Sequence, residues 1–479
     1  MVRSQARSFS AALAALLVLA ALLPGAAAAL SREEARHLLA RSGFAAEPET
    51  IDALLPLSRS AAVERILGTS SSEATTAPPG WTADWTPPRM PDLSREEKQA
   101  LRKLMRKQAL ELKAWWLQEM TVTASPLTEV MTLFWHNHFT SSLKKVKAPV
   151  LMYRQNRLLR QEAVGNFARL LRAVARDPAM LIYLDGARSR KNAPNENFAR
   201  ELFELFTLGE GHYQEADLKE AARAFTGWSV DRKDAGFTLR KRWHDDGRKT
   251  VLGTQGPLDG DDVITILLEH PRTAVFVVEK LWRHFISERP DPQEVERLAA
   301  VFRDSGYEIK PLLAALFTSE SFWAPENRGR LIKSPVDFVV GTVRLFDLPV
   351  ERYEDLARLT GRLGQNLFDP PNVKGWPGGT AWITASSLVD RQDLLERITG
   401  DSKAIAGPAA MRTAANTGKA RRARLFDNWV ASLPDPWRSA GAMTMLLLPI
   451  APVDSEILDL HASGAQVRQL LGDPAYHLK

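Results

Sequence analysis

The 479-residue sequence predicts a mainly α protein, a multi-helical globular fold with one small β-hairpin excursion. Three observations lead to this prediction. Capping signals begin many segments, apolar residues recur at helical spacing along most of the chain, and strand-like alternation is scarce. Hydrophobic residues make up 45% of the chain, which is ample for a core. We see no repeat of fixed period, which argues against a regular solenoid.

The amino terminus has the pattern of a secretory signal peptide. Arg3 and Arg7 form a positive region, the apolar run Ala11–Leu23 follows it, and small residues then supply a cleavage site. The apolar run is too short to span a bilayer. We therefore expect residues 1–29 to be removed, Leu30 to be the first mature residue, and the protein to be periplasmic or secreted.

Composition excludes several classes of protein. The chain has no cysteine, which rules out a lipid-attached lipoprotein, disulfides, iron–sulfur clusters and thiolate catalysis. Loss of Arg3 and Arg7 with the signal peptide lowers the formal net charge from +6 to +4. Because basic residues are mostly interleaved with acids, no nucleic-acid partner is expected. No later segment is long and apolar enough to predict a transmembrane anchor.

Helices are predicted in order from caps and apolar periodicity. Ser31 and Ser94 each begin a capping box, and a proline follows a cap residue at Ser125, Asp177 and Ser334. The predicted helices cover Glu33–Ser42, Arg95–Met120, 126–145, 149–176, 178–184, 195–211, 215–225, 261–270, 273–287, 293–304, 311–322, 335–346, 352–363 and 385–398. The best strand candidate is Phe237–Leu252, in which Asp246-Gly247 is a candidate hairpin turn.

The predicted organisation is one helical domain followed by a linker and a second helical segment. The domain covers residues 30–400 and includes a Pro/Ser-rich connector at 69–91. Residues 401–424 form a basic linker, which is either a solvated connection or a contact for an anionic partner. Residues 425–479 are expected to be helical and to pack on the main domain.

The most informative segment is Asn195–Gly211, which sorts onto two faces of a helix. Its polar face carries Glu196, Asn197, Arg200, Glu201 and Glu204. Such a stripe is either an ordinary ion-pair ladder of residues four apart or a site for metal binding or acid-base catalysis. A divalent metal is therefore one candidate cofactor, of unknown identity.

Two histidines, His136 and His138, lie two residues apart in a helical context. They point about 200° apart on a helix, so one of them is expected to face inward. An inward imidazole is either hydrogen-bonded to a buried carbonyl or acts as a ligand or general base. We expect at least one of the two to meet Glu201 and Glu204 in a polar pocket covered by the loop 370–379.

Two further groups are candidates for binding substrate. His244, Asp245 and Lys249 are expected in a turn, where they would bind an anionic group, although turns favour such residues for backbone reasons alone. The remaining candidates are two residues at the start of the polar stripe and three in the Gly- and Pro-rich loop 364–379, namely Asn195, Asn197, Asn372, Lys374 and Trp376. The tryptophan either stacks on a sugar or pins the loop to the core.

These residues lie in motifs that resemble, in the same order, a bacterial family called domain of unknown function 1800. The motifs are FWHNHF, DPAMLIYLDG, NENFARELFELFTLG, AARAFTGW, HDDGRKTVLG, KLWRHF and PPNVKGW, with RHLLARSGF and GDPAYHLK at the two ends. The resemblance is close from Arg36 to Arg397 and poor over 400–455. It implies an exported, mainly helical protein, often encoded beside a sulfatase-like family numbered 1501. It implies no reaction for particular residues.

Two functional hypotheses remain open. The first is an exported hydrolase, metal-assisted or carboxylate-dependent, that acts on an envelope or extracellular polymer through Glu201 and Glu204 with His136 or His138. The second is a non-catalytic periplasmic binding or assembly partner of the sulfatase-like family 1501 protein. They differ in whether the motifs converge on one concave pocket or are scattered over separate helix interfaces.

Overall fold

The computed structural model describes residues 28–83, 87, 93–399 and 425–479. Residues 1–27 of the predicted signal peptide and the predicted basic linker 401–424 lie outside the described residues. Within them, the chain forms 22 α-helices and two small antiparallel sheets of two strands each. The prediction of a mainly α fold with a small β excursion is therefore confirmed.

The first half of the chain supplies the helices that surround the candidate site. They are α1 (Arg32–Ser42), α2 (Pro48–Leu54), α3 (Arg59–Gly68), α4 (Arg95–Val122), α5 (Pro126–His138), α6 (Leu143–Val146), α7 (Pro149–Gln161), α8 (Phe167–Ala175), α9 (Pro178–Tyr183), α10 (Glu196–Glu201) and α11 (Glu215–Ala224). A π-helical segment, Leu202–Thr207, continues α10. Ser31 and Ser94 form the predicted capping boxes at the starts of α1 and α4.

The second half contains the remaining eleven helices that the structure describes. They are α12 (Gly260–Glu269), α13 (Pro271–Phe285), α14 (Pro292–Asp304), α15 (Ile309–Phe317), α16 (Glu320–Trp323), α17 (Pro335–Leu345), α18 (Tyr353–Arg362), α19 (Ala385–Thr399), α20 (Leu425–Ser432), α21 (Ala440–Leu447) and α22 (Gly464–Gly472). No described helix has the length and apolarity that crossing a membrane requires.

The β structure differs from the predicted hairpin. Strand β1 (Trp228–Val230) pairs with β2 (Phe237–Leu239), and β3 (Lys249–Val251) pairs with β4 (Thr254–Gly256). The turn predicted at Asp246-Gly247 is wrong, because this pair lies in the loop that connects the two sheets. The tight turn of the second sheet falls instead at Leu252-Gly253, where φ is 48° and 82°, as a type I′ turn requires.

Three predicted helices are each divided in two. One is 311–322, which is divided between α15 and α16 because Ser319 caps the second helix through the backbone N–H of Phe322. The predicted helix 126–145 ends at His138, and Ser142 caps the next short helix through the backbone N–H of Lys144. The predicted helix 149–176 ends at Gln161, because Asn166 caps a new helix through its side-chain oxygen. Apolar periodicity continues across the last two breaks, so it could not reveal them.

All helical layers share one hydrophobic core within the described residues. The long helix α4 packs against α17 and α18, while α14 packs against both α13 and α15. Helix α11 packs on α10 and β3, and α13 packs on the π-segment. Helix α22 contacts α19 and α20, so the residues after 425 pack on the earlier helices. Helix α10 is thus held in place by its packing against α11.

Candidate functional site

Helix α10 begins with a cap and ends in an unusual backbone conformation. Asn195 accepts the backbone N–H of Asn197 at 2.9 Å, and its own amide nitrogen donates to the carbonyl of Asp185 at 3.4 Å. From Leu202 to Thr207 the helix is a π-helix, in which the Thr207 hydroxyl donates to the Leu202 carbonyl at 2.6 Å. Short π-segments are rare and are frequently found at functional sites.

The two predicted faces are present. Phe198, Leu202 and Phe203 are buried in the core, whereas Glu201 and Glu204 are half-buried on the other side. Buried apolar residues hold the helix in place without using its carboxylates. Those carboxylates are therefore available for other partners.

The carboxylates of Glu201, Glu204 and Glu210 gather with Tyr213 and Lys374 into what we call the carboxylate cluster. The Tyr213 hydroxyl donates to Glu204 Oε2 at 3.2 Å. The Lys374 ammonium lies 3.9 Å from Glu204 Oε1 and 3.2 Å from Glu210 Oε1. One lysine from a distant loop thus bridges two of the three carboxylates.

The members of the cluster perturb one another's protonation. Burial, followed by the negative charge of Glu204, raises the pKa of the Glu201 carboxyl. Burial and then the charge of Glu204 raise the pKa of the Tyr213 hydroxyl to about 12. The hydrogen bond to Glu210 and the charges of Glu210 and Glu204 raise the pKa of Lys374. Two adjacent carboxylates in unequal surroundings are a frequent basis for acid-base chemistry.

The ion-pair ladder predicted for the same stripe is only partly present. Arg200 binds both carboxylate oxygens of Glu215 at 2.9 Å and lies 3.6 Å from Glu196. Arg200 therefore pairs with Glu196 in the preceding turn and with Glu215 on α11. Glu204 pairs with Lys374 instead. The stripe divides into a structural half at Arg200 and the carboxylate cluster.

The loop 364–379 presents Lys374 to the cluster and is held against the end of α5. The Asn372 side chain accepts the backbone N–H of Lys374 at 2.9 Å, and Asn137 accepts that of Trp376 at 2.7 Å. Between them Gly375 has a φ of 82°, and a Cβ there would lie 2.2 Å from Asn137 Oδ1. Only glycine fits this position.

His136 lies in an aromatic enclosure beneath that loop. Its ring is 5.5 Å from that of Trp116, 5.3 Å from Phe368 and 5.7 Å from Trp376. Among the described residues neither of its ring nitrogens has a hydrogen-bond partner, and the indole nitrogen of Trp376 also has none. Burial lowers the pKa of His136 to about 3, so the imidazole is neutral.

His138 points to the backbone of the π-segment. Its Nε2 is 3.2 Å from the carbonyl oxygen of Phe206, and its Nδ1 is 3.2 Å from the ammonium of Lys280, which also donates to Leu205. Burial and then the charge of Lys280 lower the pKa of His138 well below its ordinary value. Both imidazoles are buried, so the expectation that only one of the two histidines faces inward is wrong. Of the two predicted arrangements for an inward imidazole, His138 adopts the bond to a buried carbonyl.

The polar side chains of the loop around His244 form hydrogen bonds with backbone and side-chain groups close to them. His244 Nδ1 is 2.8 Å from the carbonyl of Thr226, and Arg223 donates to Asp245 at 2.8 Å. The buried Lys249 ammonium donates to the carbonyls of Asp245 at 2.6 Å and Gly247 at 3.0 Å. These contacts stabilise the connection between the two sheets. Among the other candidates, Asn197 is exposed at the start of α10.

The described residues contain no group of three or more His, Cys, Asp or Glu side chains placed to hold a metal ion. The partners that sequence reasoning missed are Glu210, Tyr213 and Lys280. Glu210 and Tyr213 follow the glutamate stripe directly, and Lys280 begins the KLWRHF motif. All three lie within or next to motifs that the sequence analysis had already identified, and this proximity could have indicated them.

The family model described as "Protein of unknown function (DUF1800)" matches residues 37–475. Since the match covers most of the sequence, the chain belongs to this family of uncharacterised function. The comparisons with curated proteins and with solved structures gave no match.

Proposed function

We propose that this protein is an exported, carboxylate-dependent hydrolase and that the carboxylate cluster is its active site. The observation that carries the proposal is the unequal environment of Glu201 and Glu204. Burial and the neighbouring charge raise the pKa of Glu201, whereas Glu204 has the Tyr213 hydroxyl and the Lys374 ammonium beside it. Such pairs divide acid and base roles between two carboxyl groups.

In the proposed reaction, protonated Glu201 donates its proton to the leaving-group oxygen of the substrate. Glu204 accepts a proton from a water molecule that attacks the bond being cleaved. Tyr213 and Lys374 hold the Glu204 carboxylate in place, and the ammonium also attracts an anionic or hydroxyl-rich substrate. After product release, exchange of protons with solvent returns the two carboxyl groups to their starting states.

The half-exposed position of the cluster favours a polymeric substrate, which has to reach the carboxylates from outside the fold. The sequence at residues 1–29 supports export, so the substrate class we propose is an envelope or extracellular polymer. Amino-terminal sequencing of protein from the periplasmic or culture fraction should find Leu30 or a neighbouring residue first. Soluble protein that retains Met1 would contradict the export proposal.

The test compares Glu201→Gln and Glu204→Gln with Glu196→Gln as the matched control. Glu196 lies on the same helix but contacts Arg200 rather than the cluster. Release of soluble fragments from purified peptidoglycan and from acidic and neutral polysaccharides is measured, together with p-nitrophenyl glycosides and esters. We expect either variant in the cluster to lower kcat by about 10²–10⁴-fold, with the control near wild type.

Circular dichroism and thermal melting of the same proteins separate loss of chemistry from loss of folding. A wild-type protein inactive on the whole panel, or a control variant as defective as Glu204→Gln, would overturn the catalytic proposal. The same holds if Glu204→Gln unfolds the protein.

The second candidate function is a non-catalytic binding or assembly partner of the sulfatase-like family 1501 protein. One observation favours it: Arg200 joins α10 to α11 through Glu215, so half of the polar stripe orients helices. Size-exclusion chromatography of the two purified proteins tests this function. Co-elution in a complex that Glu204→Gln leaves intact would support it, and separate elution at micromolar concentrations would contradict it.

A further inference from the structure

A second polar region lies where the two ends of the family domain meet. The segment 331–333 forms a short antiparallel pairing with the last residues of the sequence, in which Lys479 donates its backbone N–H to Leu331 at 2.7 Å. Helix α17 follows this segment directly. Helix α1 lies within range of the same region, because its Arg36 and Arg41 interact electrostatically with Tyr476 and Asp337.

Four cationic side chains interact with Asp337 in this region, and a fifth, Arg36, interacts with two of them. We call the five the buried cationic cluster: Arg36, Arg41, Lys333, Arg391 and Lys479. Lys333 is partly exposed, and each of the other four is at most 7% exposed. Lys479 forms an ion pair of 2.9 Å with Asp337. Within the described residues, no other carboxylate pairs with a member of the cluster.

A further acid, Asp473, interacts with His477 at the edge of the region and accepts backbone N–H groups of Val453 and Ala475. Even with Asp473 and a terminal carboxylate at Lys479 counted, anions remain fewer than cations. Uncompensated charge in a protein interior carries a large solvation cost. The cluster therefore lacks negative charge.

Hydrogen-bond donors without partners also indicate that the cluster lacks negative charge. Arg41 donates from Nη2 to the carbonyl of Asn327, but its Nε and Nη1 are buried without a hydrogen-bond partner in the described structure. Arg391 donates to the carbonyl of Lys333 at 2.8 Å and leaves Nε unpaired, and Nε2 of the adjacent His284 is also unpaired. An unsatisfied buried donor costs more when it is charged.

A lysine of the cluster can lose its proton and so reduce the excess of positive charge, but an arginine cannot. Burial, followed by the charge of Arg36, lowers the pKa of Lys333 well below its ordinary value, so this side chain can become neutral. Burial lowers the pKa of Arg41 to about 9 and the pKa values of Arg36 and Arg391 to about 10, which are still above neutral pH. Arg36, Arg41 and Arg391 keep their charges.

From the excess charge and the unpaired guanidinium nitrogens together, we propose that the buried cationic cluster binds a small tetrahedral oxyanion, of the phosphate or sulfate type. Guanidinium groups recognise such anions through paired N–H donors. The anion would accept hydrogen bonds from Arg41 and Arg391 and would join α1 to α19. This site is separate from the carboxylate cluster, and the proposal does not depend on the proposed function.

The first experiment determines whether the anion is present. The full-length protein is purified in phosphate- and sulfate-free buffer and denatured, and the released anions are quantified by ion chromatography. We expect about one oxyanion per chain, or a vacant site that added anion fills, and the chromatogram distinguishes phosphate from sulfate.

The second experiment measures melting temperature in millimolar sodium phosphate, in sodium sulfate and in sodium chloride of equal ionic strength. Anion binding to the folded state should raise Tm by about 3 °C over chloride, because a ligand that binds only the folded state stabilises it. Arg41→Gln and Arg391→Gln should each remove this difference. Arg344→Gln is the control, since Arg344 on α17 is paired with Glu47 and with backbone carbonyls.

The control should lower Tm and keep the response to oxyanions. If no oxyanion is released and Tm follows ionic strength alone, the proposal is wrong. It is also wrong if both cluster variants respond like the wild type. Where one cluster variant fails to fold, the other variant and the released-anion measurement decide.

Discussion

The carboxylate cluster and the buried cationic cluster each gather charges of mainly one sign, but they compensate these charges differently. Lys374 reaches the carboxylates with a side chain that is 64% exposed, and solvent screens what remains. In the cationic cluster, Lys479 and Asp337 are 7% and 11% exposed, so screening is weak. Partial exposure lets a carboxyl group exchange protons, whereas burial of arginines demands a permanent counter-charge.

The largest effect that this comparison predicts is at the buried ion pair. Asp337→Asn leaves the Lys479 ammonium without its carboxylate and weakens the cap at Ser334. Removing one partner of a buried pair costs about 3–5 kcal/mol of unfolding free energy, which urea denaturation measures. The control Asp355→Asn removes an exposed pair with Arg358 and should cost less than about 1 kcal/mol.

The same variant has a pH signature. Burial acts to raise the pKa of Asp337, but the charge of Lys479 and hydrogen bonds outweigh it, so the pKa is lowered from 3.8. The stabilisation is therefore present above pH 3.8 and is lost as pH falls through the lower folded pKa. Wild type and Asp337→Asn should converge in stability under acidic conditions. Equal stability of the two proteins at neutral pH would show that the pair is not a structural requirement.

A smaller effect is expected where the loop meets α5. Gly375→Ala places a Cβ against Asn137 in a left-handed backbone conformation, so the loop shifts and carries Lys374 away from Glu204. Gly253→Ala is the matched control, because φ is also 82° there but the added Cβ meets no atom within 4 Å. Both variants bear the backbone strain of about 1–2 kcal/mol, and only Gly375→Ala adds the clash. Thermal melting that ranks the control as the less stable protein would contradict this account.

The smallest effect is expected at Glu201, where the substitution should stabilise the folded protein rather than destabilise it. Because its folded pKa is raised above 4.5, the group stabilises the folded state less as pH rises through that range. Glu201→Gln cannot ionise, so its stability relative to wild type should increase from pH 4.5 upward and then level off. Melting temperatures across pH measure this gain.

Glu97→Gln provides a control of the opposite sign. Hydrogen bonds to Ser94 lower the pKa of Glu97, so this variant should lose stability relative to wild type as pH rises. A Glu201→Gln protein that behaves like Glu97→Gln would show that burial does not govern the Glu201 carboxyl.

Local signals predicted the helices where they act over one or two turns. The Ser31 and Ser94 capping boxes and the proline starts at 126, 178 and 335 are present as expected. The breaks after His138 and Gln161 were missed because apolar periodicity persists through them. The hairpin turn was wrongly predicted at Asp246-Gly247. These residues belong to the loop between the two sheets, which is stabilised by a hydrogen bond from the Gly247 N–H to the Asp245 side chain.

At the candidate site the sequence identified Glu201, Glu204 and Lys374 but not how they are connected. Residues four apart on a helix predict an Arg200–Glu204 contact as readily as the Arg200–Glu196 contact that is present. The choice depends on Glu215 and Lys374, which belong to other elements. A pattern of local spacing holds no information about such partners.

The sequence by itself determined the helical class, the family, the two faces of α10 and the residue types available for acid-base chemistry, since these follow from local periodicity and motif order. Only the tertiary structure decided that Lys374 meets Glu204 and that His138 binds a backbone carbonyl of the π-segment. It alone brought Arg41 into range of Asp337, nearly three hundred positions later in the chain. Contacts of that range depend on how whole helices pack, because charge and burial act through space and not along the sequence.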